Sequence, residues 1–361
     1  MDDGYFSCQI RKEPLLQVSG TDSLTVIFES NCPIEGFKMS YSTGHNKTIV
    51  NINDALFEEV GPYHYVYHIN IVSLVESSKY KYELCAFGKC KQYSFFHPGP
   101  SLSPLKVAFV ADSQLGMAVF HQICGKLSQL KPHYIVHAGD LIQRSYRIQE
   151  WQTFFFDVVN SYGLSQSIPF IIAQGNHDVR FSSPPPYLQK STYFSAILGG
   201  SKWIILDSNS STASQLNWLE EELSSHSSIV ANFRIVVVHV APFEEYWEKK
   251  AWNRGEKYWP DHVRLKFVPL FEKYNVDLVL CGHVHVYQRG SLNNVTYLVG
   301  GGAGGMIDSD KVDDWNMYKV TYLNHHYISL HISSEFIKVK TFSLQSSVID
   351  EFSLERQHFK V

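Results

Sequence analysis

Six side chains of metal-ligand type follow one another along this 361-residue chain, most of them just past a run of apolar residues. Asp112 follows Val107-Ala-Phe-Val-Ala111, Asp140 closes His137-Ala-Gly-Asp140, and Asn176 opens Asn176-His177-Asp178 behind Gly175. His239 follows Ile235-Val-Val-Val238, and His283 and His285 stand together in Cys281-Gly-His-Val-His285. Carboxylate and imidazole in one set suit Zn, Fe and Mn. Residues two apart on an extended segment point the same way, so His283 and His285 can each reach a different ion. Any one of these positions alone reads as a turn former, a helix cap or a satisfied core residue. All of them in order, each at a strand end, read as a site.

The elements that must position them are legible in the apolar pattern. From Leu105 onward strands alternate with helices: strands at Val107–Ala111, Tyr134–His137, Phe170–Ala173, Trp203–Leu206, Ile235–Val238 and Val276–Cys281, and helices over about 117–130, 147–161, 214–224 and 261–274. Near-continuous apolar strands between helices indicate sheets covered on both faces, and ligand sites in such sheets lie at the carboxyl edge. From Trp315 the chain reads as further strands with little helix. His137 falls inside a strand and reads as a core residue, and Cys281 as a packing residue. Residues 1 to about 97 follow another grammar, with short runs such as Leu24-Thr-Val-Ile-Phe28, Gly36–Tyr41, His64–Ile69, Tyr80–Cys85 and Tyr93–Phe96 and no amphipathic helix between them. That predicts an all-β sandwich of immunoglobulin or fibronectin type III kind over 1–100, a linker at His97-Pro-Gly-Pro-Ser-Leu-Ser-Pro104, and a second domain over 101–361 that carries every candidate ligand. Residues 102–361 alone are then expected to keep the metal site.

The ordered set resembles the calcineurin-like metallophosphoesterase superfamily, with its Asp-x-His/Gly, Gly-Asp, Gly-Asn-His-Asp/Glu, strand-terminal His and Gly-His-x-His. With the front sandwich and the stretch Pro269–Arg289, it is similar to the purple acid phosphatase branch. The resemblance implies an α/β four-layer sandwich of two mixed β-sheets flanked by helices. It also implies a phosphatase that hydrolyses phosphate monoesters of small molecules by direct attack of metal-bound hydroxide. Two ions about 3.5–4 Å apart would neutralise the phosphoryl oxygens and supply that hydroxide. The cofactors implied are two divalent or trivalent transition-metal ions, Fe, Mn or Zn. Carried over by position, Asp140 bridges the ions, Asp112 and His285 complete the first site, and Asn176, His239 and His283 the second. His177 would donate a proton to the leaving alcohol, with Asp178 fixing its tautomer.

The chain departs from the branch at several positions. Purple acid phosphatases place a Tyr three residues after the bridging Asp, where this chain has Gln143; other superfamily members put a His two after the first Asp, where it has Gln114. Gln114, Tyr146 from a shifted register, or water is left to complete the first site. The aromatic and basic loop 241–259 lacks the His pair of plant-type members, which leaves Arg254, Lys249 or Arg180 to hold the phosphate. Its Trp and Tyr residues either wall a pocket or pack the loop down. Two rival readings stand beside the phosphatase: a phosphodiesterase acting on cyclic nucleotides or nucleotide derivatives, and a metal-binding scaffold without turnover.

Composition narrows the partners. Hydrophobic residues make up 44% and charged residues 18%, a globular composition. The net charge of −4 has no long single-sign run, which speaks against nucleic-acid polymers. No apolar stretch reaches the roughly 20 residues of a membrane span. The start Met1-Asp-Asp-Gly-Tyr5 has no leader pattern, so the chain is expected to be cytoplasmic, or secreted or vesicular if a leader was removed. Six cysteines leave the compartment open; Cys85 and Cys90 look like two strand ends around a turn, disulfide-bonded or reduced. The sequons at Asn46, Asn209 and Asn294 are about what chance gives.

Overall fold

Burial along the strands follows the two grammars of the sequence. In Ser78–Ala86 the residues Tyr80, Tyr82, Leu84 and Ala86 alternate inward, so that strand has one wet face. Ser201–Leu206 is buried at all six positions, and Leu105–Val110 at all but Lys106, as strands covered on both faces must be. The computed structural model describes residues 7–50, 55–179, 185–210 and 212–356. Their strands form sheets of ten, seven and four.

In the ten-stranded sheet Leu105–Val110, Tyr134–His137 and Phe170–Ile172 run parallel, with Val110, His137 and Ile172 in register, while His326–Ile332 pairs antiparallel to Leu105–Val110. The seven-stranded sheet is also mixed, with Ser201–Leu206, Arg234–Val240, Leu278–Gly282 and Val295–Gly300 parallel. The two sheets face each other across one core that joins Phe109, Val136 and Ile171 to Trp203, Ile205, Val237 and Leu280. Phe120, Ile123 and Leu127 of the helix Met117–Leu130 cover the outer face of the first sheet. Leu219, Leu223, Val263 and Phe271 cover the second. Four layers result, helix, sheet, sheet, helix, and the carboxyl ends of the parallel strands in both sheets open on one edge.

The helix expected over 147–161 holds a π-helical turn, Trp151–Phe156, and the one expected over 261–274 is two pieces, Tyr258–Lys266 and Val268–Lys273. Among the described residues no helix is long and apolar enough to cross a membrane.

The front strands divide between two sheets. Ile10–Gly20, Ser23–Ser30, His64–Ile71 and Leu56–Gly61 extend the ten-stranded sheet, and Asn46–Val50, Lys38–Thr43, Ser78–Ala86 and Lys89–His97 form the four-stranded one. Val18, Phe28 and Ile69 share a buried cluster with Met39, Tyr80 and Phe95 across the gap.

Continuity between front and rear is the feature the sequence concealed. Ile10–Gly20 pairs parallel with Phe170–Ile172, Gln17 lying opposite Phe170. Gln17 also clamps the segment beyond the Asn176 loop, donating to Tyr187 O at 2.9 Å and accepting from Gln189 N at 3.0 Å. Polar residues hid that first strand, since it opens Ile10-Arg-Lys-Glu-Pro14. Lys12 is nevertheless 1% exposed, its charge met by the buried Glu29 at 2.5 Å. The expectation that 102–361 alone keeps the metal site has this continuity against it, because removing the front strands would uncover the edge of Phe170–Ile172 and release that clamp.

Cys8 is bonded to Cys32 and Cys85 to Cys90, while Cys124 and Cys281 are buried thiols.

Candidate metal centre

The chain turns sharply at three of the six candidate ligands. Asp112, Asp140 and His283 adopt φ of 61°, 55° and 70°, a left-handed conformation that side chains other than glycine rarely accept. Each such residue costs about 1–3 kcal/mol and persists only where its surroundings over-determine it. Here they do: Asp112 N donates to Gly139 O at 3.0 Å, Gln114 N to Asp140 O at 3.2 Å, and His283 N to the Asp112 carboxylate at 2.9 Å. Gly175 matters for close approach, since a Cβ there would lie 2.0 Å from Asp140 Oδ1.

These turns bring the six candidate ligands together. Asn176 Oδ1 lies 2.9 Å from His239 Nε2 and 3.0 Å from His283 Nδ1, and the two imidazoles meet at 3.2 Å. Asp140 Oδ2 is 3.4 Å from His239 Nε2, and on its other side 3.3 Å from the Gln114 amide. Beyond Gln114, His285 Nε2 stands 3.7 Å from Asp112 Oδ1. Asp140 thus lies between an Asn176–His239–His283 group and an Asp112–His285 group.

The donor chemistry fits cations at both places. His239 gives its Nδ1 hydrogen to Ala138 O at 2.7 Å, and His285 gives its own to Met306 O at 2.7 Å. In the neutral imidazole Nε2 then carries the lone pair, turned toward carboxylate and amide oxygens. Positive charge meets such contacts, as a proton on Nε2 or as a bound cation, and the donor set suits Zn, Fe or Mn. The same demand appears in His239 itself: burial opposes its charge, yet the carboxylates of Asp140 and Asp112 outweigh burial and carry its pKa up to about 10. Gln114 lies beside the first group. Its amide nitrogen is best satisfied by the main-chain oxygens of Asp112 at 3.3 Å and Asp140 at 3.0 Å, which turns its oxygen toward His285 Nε2 at 3.2 Å. Tyr146 is 50% exposed on a cavity wall instead.

That cavity, about 330 Å³, is lined by Gln143, Arg144, Ser145, Tyr146, Asn176, His177 and Val179. His177 donates Nδ1–H to Gln143 O at 3.0 Å and keeps Nε2 on the cluster side, 3.9 Å from Asp140 Oδ2. Arg144, held by Glu150 at 2.5 Å, brings a guanidinium to the same wall that the sequence did not single out.

Two readings are corrected. Asp178 does not orient His177: it is fully buried and accepts from Asp140 N at 2.7 Å, Leu141 N at 2.8 Å and Gly175 N at 2.9 Å, bracing two loops together. Burial and the neighbouring Asp140 raise its pKa to about 7. Arg254 is not brought to the cluster; its exposed guanidinium lies 3.9 Å from Glu248, and Lys249 is exposed beside it. Arg180 lies outside the described residues. Of the loop aromatics, Trp247 stacks on His283 at 4.5 Å between ring centroids. His137 is buried in its strand, beside Ser113 Oγ at 3.1 Å.

The bracing role of Asp178 makes a prediction. Asparagine there keeps one acceptor and sets an N–H₂ against main-chain donors, so Asp178→Asn should lower unfolding stability by about 1–3 kcal/mol for each donor left unpaired. Urea denaturation measures it. Unchanged stability with selective loss of proton donation would restore Asp178 as the partner of His177.

The chain belongs to the calcineurin-like phosphoesterase family, which its residues 105–287 match. Within that family its relatives by sequence include plant purple acid phosphatases. The Fe(3+)-Zn(2+) purple acid phosphatase 12 of Arabidopsis thaliana is 25% identical over 263 residues, 64% of this chain and 54% of that protein. A phosphoenolpyruvate phosphatase of Allium cepa is 25% identical over 276 residues, 66% of this chain and 53% of that one. The chain thus spans about half the length of these curated relatives. Among solved structures, purple acid phosphatase PPD1 from yellow lupin seeds shares the fold with a TM-score of 0.79 at 17% identity, over 96% of this chain and 74% of that one.

Proposed function

We propose that the protein is a dinuclear metallophosphatase acting on phosphate monoesters of small molecules. The observation that carries this reading is the pair of acceptor groups on either side of Asp140, with His177 Nε2 on the same side as the bridging carboxylate. Asp140 would be shared, with Asp112, Gln114 and His285 holding one ion and Asn176, His239 and His283 the other. Two bound ions supply charge neutralisation and an activated water at neutral pH. His177 lines the cavity, where a leaving group would sit against Tyr146 and Arg144. In this reading residues 1–100 are a fibronectin type III-like sandwich and 101–361 the catalytic unit, joined through the ten-stranded sheet. The sheet order Ile10–Gly20, Ser23–Ser30, His64–Ile71, Leu56–Gly61 opposite Asn46–Val50, Lys38–Thr43, Ser78–Ala86, Lys89–His97 supports the first assignment. The two disulfides favour an oxidising compartment.

The test is metal content measured beside turnover of a chromogenic monoester and its diester. Two ions per chain with monoester turnover support the reading; diester preference would make the protein a phosphodiesterase, and two ions without turnover a scaffold. Fully active protein free of transition metal would end it.

Gln143 adds an expectation about colour. With glutamine where the purple enzymes carry their tyrosine, and Tyr146 out on the cavity wall, the iron-loaded protein should lack an intense visible charge-transfer band. Manganese or zinc should support activity at least as well as iron. Absorption spectra of the iron-loaded protein and Tyr146→Phe check this; an intense band in both would contradict it.

A further inference from the structure

Behind the centre lies a carboxylate that nothing so far explains. Glu244 stands five residues past His239, in Ala241-Pro-Phe-Glu244, and its side chain is 1% exposed. Its Oε1 has no hydrogen-bond partner and lies 3.7 Å from His283 Nε2. The other nitrogen of that ring, Nδ1, faces Asn176 Oδ1 and His239 Nε2. Trp247 covers one face of the ring, and its indole N–H is fixed on Glu256 at 2.8 Å. One loop therefore approaches His283 both at its outer nitrogen and on its face.

The surroundings offer Glu244 little else. Asp308 nearby is acidic and already accepts His285 N at 2.8 Å. The Arg264 guanidinium is engaged by Pro242 O at 3.2 Å and by Asp261. A buried carboxylate left unpaired is costly. An imidazole whose inner nitrogen binds a cation has a polarised outer N–H that only an acceptor can meet. The gap of 3.7 Å is about 0.5 Å beyond hydrogen-bond reach.

We infer that Glu244 is a positioning residue for His283, accepting its Nε2 hydrogen so that the Nδ1 lone pair is held toward the centre. The inference rests on the proposed dinuclear reading. It assigns Glu244 no contact with substrate, only the orientation and basicity of one ligand.

The experiment is calorimetric titration of zinc into the full-length, metal-stripped protein, for the parent chain, Glu244→Gln and Glu244→Leu, with thermal melting as the check on folding. The parent should show two binding steps. Glu244→Leu should weaken one step by about 10–100-fold and leave the other nearly unchanged, because such outer partners are typically worth that much in metal affinity. Glu244→Gln keeps an acceptor without the charge and should fall between. The cobalt-loaded variants should also show altered visible bands, which a residue that only fills space would not produce. Should Glu244→Leu fail to fold, the isosteric Glu244→Gln decides alone. Two unchanged binding steps and unchanged cobalt bands in a folded variant would overturn the role of Glu244 while leaving the dinuclear reading intact. A parent chain that binds no zinc would overturn that reading itself.

Discussion

Asp140→Asn is expected to lose metal and to lower turnover by on the order of 10³-fold or more, since one substitution removes the charge shared between both groups of ligands. The geometry makes the effect larger than at any other ligand. Asp140 Oδ2 is 3.4 Å from His239 Nε2 and 3.3 Å from Gln114, while its Oδ1 accepts His177 N at 2.8 Å. An amide in its place preserves shape but removes the negative charge and leaves one acceptor oxygen where the carboxylate has two. Elemental analysis beside turnover checks it. Asp112→Ala should spare the Asn176–His239–His283 group, whereas Asn176→Ala should not. An Asp140→Asn protein with full metal content and near-parental rate would refute the assignment of Asp140 as the bridge.

The second large effect concerns His177 and depends on the leaving group. An alkoxide needs a proton as it departs; a nitrophenolate can leave without one. General acid catalysis is typically worth about 10²–10⁴-fold, roughly 3–5 kcal/mol. His177 keeps Nε2 toward the cluster and its Nδ1 hydrogen on Gln143 O, so its protonated form would present an Nε2–H to the cavity where the leaving group would sit. His177→Asn should therefore lose that much rate on alkyl phosphates and far less on an activated aryl phosphate, with metals retained. Equal losses on both esters would mean that the imidazole binds phosphate or stabilises charge instead. Loss of metal would make it part of the scaffold of the site.

What could be read in the sequence depended on whether a signal was local. The six candidate ligands stood out because most of them follow runs of apolar residues, and the structure brings all six together. Asp178 misled because neighbours in sequence need not be neighbours in space: within that turn His177 faces the cavity and Asp178 the interior, where it meets three main-chain N–H groups. The strand Ile10–Gly20 was hidden by Arg11, Lys12 and Glu13, whose polarity says nothing about a partner 17 residues on from Lys12. Pairing of Cys8 with Cys32 has the same character, a contact across 24 residues with no local cue. Glu244 lay in a loop where an acid reads as solvated; only the tertiary structure shows it buried beside His283.

The left-handed turns at Asp112, Asp140 and His283 bear on how such a protein would be charged with ions. Two of the ties that hold these bends, Asp112 N to Gly139 O and Gln114 N to Asp140 O, are main-chain bonds that use no candidate ligand side chain, so the bends should not depend on metalation. Loading would then be a matter of capture through the side where His177 and His285 still meet solvent, at 34% and 17% exposure. Protein made in the absence of metal should accept it later without unfolding. The ions it comes to carry would be set by the supply where it resides and not by the moment of its synthesis.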